Sequence, residues 1–396
     1  MPIAAKWRLQ WMIVLACFFA ASGLARAASQ PHYVVTNDDV AFLFGIGENS
    51  YTFYAVEANG ALGRGIQVVS SNPGIGGGYF GANRLAFLNN GTEQCVYASE
   101  ALDGDIVGID INTLQPGSAA FGSDTDSGSA NGIGVVMNTQ YLYASFSSSN
   151  TIATFQVQSD CTLTFINDVS VVGLQSGFID GMAISGKILV ATYGDGSIES
   201  FDISNGTPVS NGDLQNSSGS LSANFATYPT SVEVTQDGHF ALFGDTSTSD
   251  VVEVSDISSG KLTKTVPYNL GHGINSSNIL LSPDETLLYI SNTQGDKIAA
   301  AFFNASTGKL TFGCISGSLK GYVANWSYLG SLALETNTGT GSAVYAAEFG
   351  LGSGIAIVNV TSANGQCTLA EASNSPVADP NTSSLLSIGT FPPRSF

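Results

Sequence analysis

The chain has 396 residues, with 12 Lys and Arg against 31 Asp and Glu, a formal charge of −19. A surface this acidic repels phosphate backbones and anionic lipid headgroups, which excludes nucleic-acid binding as a function. With 46 glycines, 43% hydrophobic residues and only 11% charged residues, the composition is one of turns and apolar strands, not helices.

Residues 1–27 read as an export signal. Lys6 and Arg8 give a basic start, Trp11 to Leu24 an apolar core, and Ala25-Arg26-Ala27 a small-residue cleavage site. Removing this leader takes away three basic residues and no acids, so nine cations face 31 acids, a charge of −22. The apolar run is too short for an anchor, and no later stretch is long enough to span a bilayer. The expected mature protein is residues 28–396, a single domain exported to the periplasm or beyond the cell.

From Tyr33 onward one pattern repeats. Tyr33 to Asn37, Tyr51 to Val56 and Asn59-Gly60-Ala61-Leu62 predict a first unit that lacks its innermost strand. Leu85 to Leu88, Asn90-Gly91, Val96 to Ala98 and Ile106 to Ile111 predict a second. Val135-Val136, Leu142 to Ser145, Ile152 to Val157 and Thr162 to Thr164 predict a third. Met182 to Ile184, Ile188 to Thr192 and Ile198 to Ile203 make the fourth. The fifth runs from Val232 to Thr235 through Asp237-Gly238, Phe240 to Phe243 and Val251 to Val254 to Ser259-Gly260-Lys261-Leu262-Thr263. The sixth is the fullest: Leu280 to Ser282, Pro283-Asp284, Leu287 to Asn292, Lys297-Ile298, Phe302 to Asn304 and Thr307-Gly308-Lys309-Leu310-Thr311. Leu332 to Leu334, Val344 to Ala346, Ile355 to Val360 and Gly365 to Leu369 complete the seventh. Ser384 to Ile388 remains to supply the strand missing from the first.

Second strands at Tyr33, Tyr97, Tyr143, Val190, Leu242, Tyr289 and Tyr345 are 46 to 64 residues apart. Short antiparallel strands at that period predict an all-β fold: a seven-bladed β-propeller, four antiparallel strands per blade, closed by a C-terminal strand. No segment beyond the leader shows a sustained 3.6-residue apolar period.

Cys17 leaves with the leader. Cys95, Cys161, Cys314 and Cys367 remain, an even number that predicts two disulfides in an exported chain. Three pairings are open, and blade order favours Cys95–Cys161 and Cys314–Cys367, each joining neighbouring blades. The repeat places Cys95 before a second strand, Cys161 and Cys367 at third turns, and Cys314 early in a fourth strand. There is no CxxC, and His32, His239 and His272 are scattered, so no metal and no cofactor is expected. Asp124-Thr125-Asp126-Ser127-Gly128 starts like a calcium loop but has Gly at the third ligand position and no suitable closing Glu.

The units Leu287 to Asn292 and Leu142 to Ser145, with Ser282-Pro283-Asp284, resemble the YVTN repeat. The Gly-Lys-Leu-Thr third turn extends the likeness to the seven-bladed lactonase family, which includes 6-phosphogluconolactonase, over residues 30–396. That resemblance implies a site at the mouth of the central channel, where a His or Glu acts as acid or base and Arg groups bind a carboxylate, a phosphate or the developing oxyanion. In the family a Gly-Pro-Arg-His-like stretch leads into a first strand. Here Gly81-Ala82-Asn83-Arg84 keeps the Arg and Tyr228-Pro229-Thr230-Ser231 keeps the Pro, while Asn275 to Asn278 and Leu329-Gly330-Ser331 keep neither ionisable group. Beyond the leader the arginines are Arg64, Arg84 and Arg394, too few cations for a sugar phosphate.

The candidates gather on the rim formed by blade-linking loops and second-to-third-strand loops. Arg84 would polarise a lactone carbonyl and Glu100 or Glu348 would activate water. Asp180, Asp195, Tyr228, Asn278 and Trp326 would contact the ligand. Asp38, Tyr193, Asp245 and Asn292 share the same rim. Each also has a plain reading: Arg84 paired with Asp180 or Glu100, carboxylates in solvent, aromatics wedged between blades. The expected function is an exported lactonase-like propeller acting mainly as a binding or scaffold module for a small molecule, a glycan or an envelope protein. Hydrolysis of a small lactone at the channel mouth is the alternative.

Overall fold

The computed structural model describes residues 31–393 apart from 39–46, 75–82, 101–103, 123–133, 147–148, 218–228, 246–249, 264, 293–295, 322–326, 336–341, 351–353, 380–384 and 386. Among these residues the strands form seven antiparallel sheets, each ordered as a blade from an inner first strand to an outer fourth. Blade 1 takes its inner strand Ser387–Phe391 from the C-terminus, followed outward by Tyr33–Asp38, Gly47–Val56 and Leu62–Gly74. The closing strand pairs antiparallel with the first, Val34 opposite Thr390 and Val35 opposite Gly389. The propeller therefore closes as the repeat requires.

Inner strands of blades 2 to 7 are Leu85–Asn89, Val135–Met137, Ile179–Ser185, Pro229–Val234, Ser276–Leu281 and Ser327–Leu334. Each touches the inner strand of the next blade, and the closing strand completes the ring. Outer strands are less regular. In blades 2 and 4 the fourth strand is two short bridges, Gln115–Pro116 with Ala120–Phe121 and Val209–Ser210 with Gln215–Asn216.

Strand side chains alternate between two faces. In a propeller both faces of every blade meet a neighbour, so the second strands read as unbroken apolar runs. Seven buried clusters result, one for each seam. Tyr97, Leu142 and Phe155 fill the seam of blades 2 and 3. Leu242, Ile279 and Ile290 fill that of blades 5 and 6. The last seam, between blades 7 and 1, packs Val34 and Tyr54 on Tyr345 and Ile357, and the Tyr345 hydroxyl donates to the Gly60 carbonyl at 2.8 Å.

Two disulfides staple neighbouring blades at the Cα–Cα separation such bonds require. Cys95–Cys161 joins blades 2 and 3, and Cys314–Cys367 joins blades 6 and 7, each with Cα atoms 5.7 Å apart. Cys314 departs from expectation in one respect: it is the penultimate residue of Lys309–Ile315, late in its strand. Gly108 makes the first staple possible, because a Cβ there would lie 1.9 Å from the Cys161 carbonyl oxygen.

Candidate functional site

Register fixes an equivalent position at the rim end of every second strand. Leu85 faces Ala98, Val135 faces Ala144, Met182 faces Ala191 and Val232 faces Phe243. Ile279 faces Ile290, Leu332 faces Ala346 and Ile388 faces Thr36. Two residues further along stand Glu100, Phe146, Tyr193, Asp245, Asn292, Glu348 and Asp38. All seven are buried, so the alternative of solvent-exposed carboxylates does not hold for Glu100 or Glu348. Buried carboxyl groups must be neutralised, hydrogen-bonded or protonated, and the blades differ in how they do it.

Glu100 is held by a donor. The Tyr51 hydroxyl of blade 1 donates to Glu100 Oε1 at 2.7 Å. Burial, then the carboxylates Glu100 and Asp105, push the Tyr51 hydroxyl far up, with Arg84 opposing. Arg84 itself is 1% exposed. Its Nη2 donates to the Ser99 carbonyl at 3.2 Å, the oxygen that also accepts from Asn37 Nδ2 at 3.0 Å. Arg84 and Glu100 are thus brought together in the seam of blades 1 and 2, beneath the surface.

Asp38 sits among hydroxyls. Ser50 and Thr52 donate to its Oδ2 at 3.0 and 2.6 Å, and Thr36 donates to its Oδ1. The Thr36 hydroxyl is also 3.1 Å from Asp379 Oδ2. Burial, then the Asp379 charge, raise Asp38 well above the carboxylate range despite the three hydroxyls. Thr36, Tyr51 and Asp379 did not stand out in the sequence. The only signal was a run of hydroxyl residues beside a strand-end acid.

Glu348 has neither arrangement. It is 1% exposed, and among the described residues neither carboxyl oxygen has a hydrogen-bond partner. Gly321 packs directly on it: a Cβ at that position would fall 1.9 Å from Oε2. Burial, then Glu371, push the Glu348 carboxyl up to about 7.

Asp180 and Asp195 form a pair with opposite fates. Burial opposes ionisation of Asp195, but Ser197 and the amides of Gln175 and Gly177 outweigh it and hold the carboxyl below its ordinary value. Asp180, at the start of the inner strand of blade 4, is pushed up to about 7 by burial and then by Asp195. Neighbouring carboxyls driven apart in this way can divide acid and base roles. Asn278 is buried in blade 6, its backbone N–H donating to the Ser291 hydroxyl at 3.2 Å. Tyr228 and Trp326, like the acidic turn Asp124 to Gly128, lie outside the described residues. His239 occupies the opposite face, 3.1 Å from Asp237. Among the described residues no three His, Cys, Asp or Glu side chains converge as a metal site would require.

The sequence model of the family described as Lactonase, 7-bladed beta-propeller, matches residues 135–382. The chain belongs to this lactonase family. Solved structures agree at the level of the fold. A 6-phosphogluconolactonase candidate from Bacteroides uniformis superposes with a TM-score of 0.66 at 17% identity, covering 91% of this chain and 100% of that one. The periplasmic gluconolactonase of Pseudomonas aeruginosa gives 0.64 at 14% identity, with 91% and 99% covered. A protein of unknown function from Desulfotomaculum acetoxidans gives 0.61 at 12%, again with 91% and 99% covered. No curated protein sequence matches the chain. At such identities the likeness between this lactonase-family propeller and its neighbours carries the architecture alone.

Proposed function

We propose that this lactonase-family propeller is exported and serves mainly as a binding module, taking a small molecule, a glycan or an envelope protein at its rim. The observation that carries the reading is the commitment of Arg84. Its guanidinium is 1% exposed and engaged with the Ser99 carbonyl, next to a Glu100 already occupied by Tyr51. A cation spent on packing is not presented to a lactone oxygen. Export is supported by the leader pattern of residues 1–27 and by two disulfides, which belong to oxidising compartments.

One observation favours hydrolysis as a second reading. Asp180 and Glu348 both have carboxyls raised to about 7, the range in which an acid or base works at neutral pH. A pH-stat scan of the purified protein against five- and six-membered lactones separates the two. Absence of acid release above buffer is expected for a binding module. Release that disappears in Asp180→Asn, with the near-ultraviolet circular dichroism intact, would establish the hydrolase instead.

A further inference from the structure

The seven inner strands line a channel, open to solvent, with a volume of about 210 Å³ along the axis of the propeller. It begins at Asn83, beside the rim cluster of Arg84, and reaches Pro283 and Pro393 towards the opposite turns. Its lining is mainly apolar: Leu85, Val135, Met182, Val232, Leu332 and Ile388 each come from a different blade, with Phe87 beside them and Asn83, Glu233 and Thr390 as polar members. Among the described lining residues Glu233 is the only ionisable one. This belongs neither to the carboxyl groups of the rim nor to any motif in the sequence.

Size, polarity and charge together narrow what fits. An apolar cavity of ~150 Å³ accepts benzene, so 210 Å³ has room for a chain of roughly six to eight carbons. Inner strand edges add scattered backbone donors and acceptors, which suit one polar group but not a charged one. Glu233 and the protein's net charge of −19 disfavour fatty carboxylates. We propose that the channel binds the alkyl chain of a neutral medium-chain amphiphile, an alcohol, ester or alkyl lactone, with its head towards Asn83. The inference stands on the channel lining and holds whether or not the rim is catalytic.

Calorimetric titration of the purified protein with straight-chain alcohols from 1-butanol to 1-decanol tests it. Affinity should rise about fourfold per added methylene and level off once the chain exceeds the cavity. Methionine methyl NMR locates the ligand: the chain has four methionines, and Met137 and Met182 both line the channel. Both signals, assigned through Met137→Leu and Met182→Leu, should shift on titration. Ala183→Trp and Leu280→Trp, at half-buried lining positions in blades 4 and 6, should each fill the lumen and abolish binding. Absence of binding, affinity independent of chain length, or binding that leaves both methyl signals unmoved would each overturn the proposal. So would full affinity in either filled variant that keeps its near-ultraviolet circular dichroism.

Discussion

Glu100 and Glu348 hold the same position in blades 2 and 7, yet among the described residues only Glu100 receives a hydroxyl, that of Tyr51 at 2.7 Å. For Glu348, burial and then the neighbouring Glu371 raise the carboxyl to about 7. A buried carboxyl without a donor keeps its proton to higher pH, because the apolar seam penalises the charge more than the acid.

Stability should therefore fall as pH rises. Glu348 and Asp180 have folded values of about 7, above those of an unfolded chain, so the folded protein binds more protons between about pH 4 and 7. Their stabilising contribution is full at the acid end and is lost through that window, up to about 3 kcal/mol each. Below it the sign reverses. Asp195 and Asp284, held low by hydrogen bonds that outweigh burial, lose their contribution as they protonate. Melting temperatures across pH 3–8 should peak on the acid side of neutrality, and Glu348→Gln and Asp180→Asn should each flatten the fall. A curve unchanged in both variants would show that neither group titrates in this window.

Arg84→Met should cost about 3 kcal/mol, since it leaves the acids of the blade 1–2 seam without a buried cation. The melting temperature should drop by at least about 5 °C. A variant that melts like the parent while losing ligand binding would move Arg84 from the packing to the binding surface.

Each disulfide closes a long loop, with sequence separations of 66 and 53, for which chain entropy predicts about 4 kcal/mol. Reduction should lower the melting temperature in two additive steps, seen separately in paired Cys→Ser variants. Gly108→Ala should disturb the same seam without touching sulfur. The added methyl meets the Cys161 carbonyl, at a cost of about 3 kcal/mol, with a fall in melting temperature as the check.

Blade count, closure and disulfide partners were legible in the sequence because they follow from a repeat: strand lengths, turn residues and cysteine order all carry the same period. The rim was legible only as a set of positions. Glu100, Glu348 and Asp245 could be placed at strand ends, but burial depends on what neighbouring blades lay over them. Tyr51 reaches Glu100 from 49 residues away and Asp379 approaches Thr36 from 343, distances at which local pattern says nothing. Cys314 was misplaced for a simpler reason: the fourth strand that starts at Lys309 ends at Ile315, one residue past the cysteine.

Pairing of Val34 with Thr390 also sets an order of events during synthesis. The first blade leaves the ribosome with three strands and an open inner edge, and its partner Thr390 follows Val34 only after the other six blades have been made. Until then Val34 and Val35 lack the cover that buries them in the finished ring. Such a chain folds slowly and in one late step, because its most distant contact is also the one that shuts the circle. A truncation removing residues 385–396 should leave a soluble-looking sequence that never matures, captured by chaperones and cleared by proteases instead of accumulating as a slightly weaker protein.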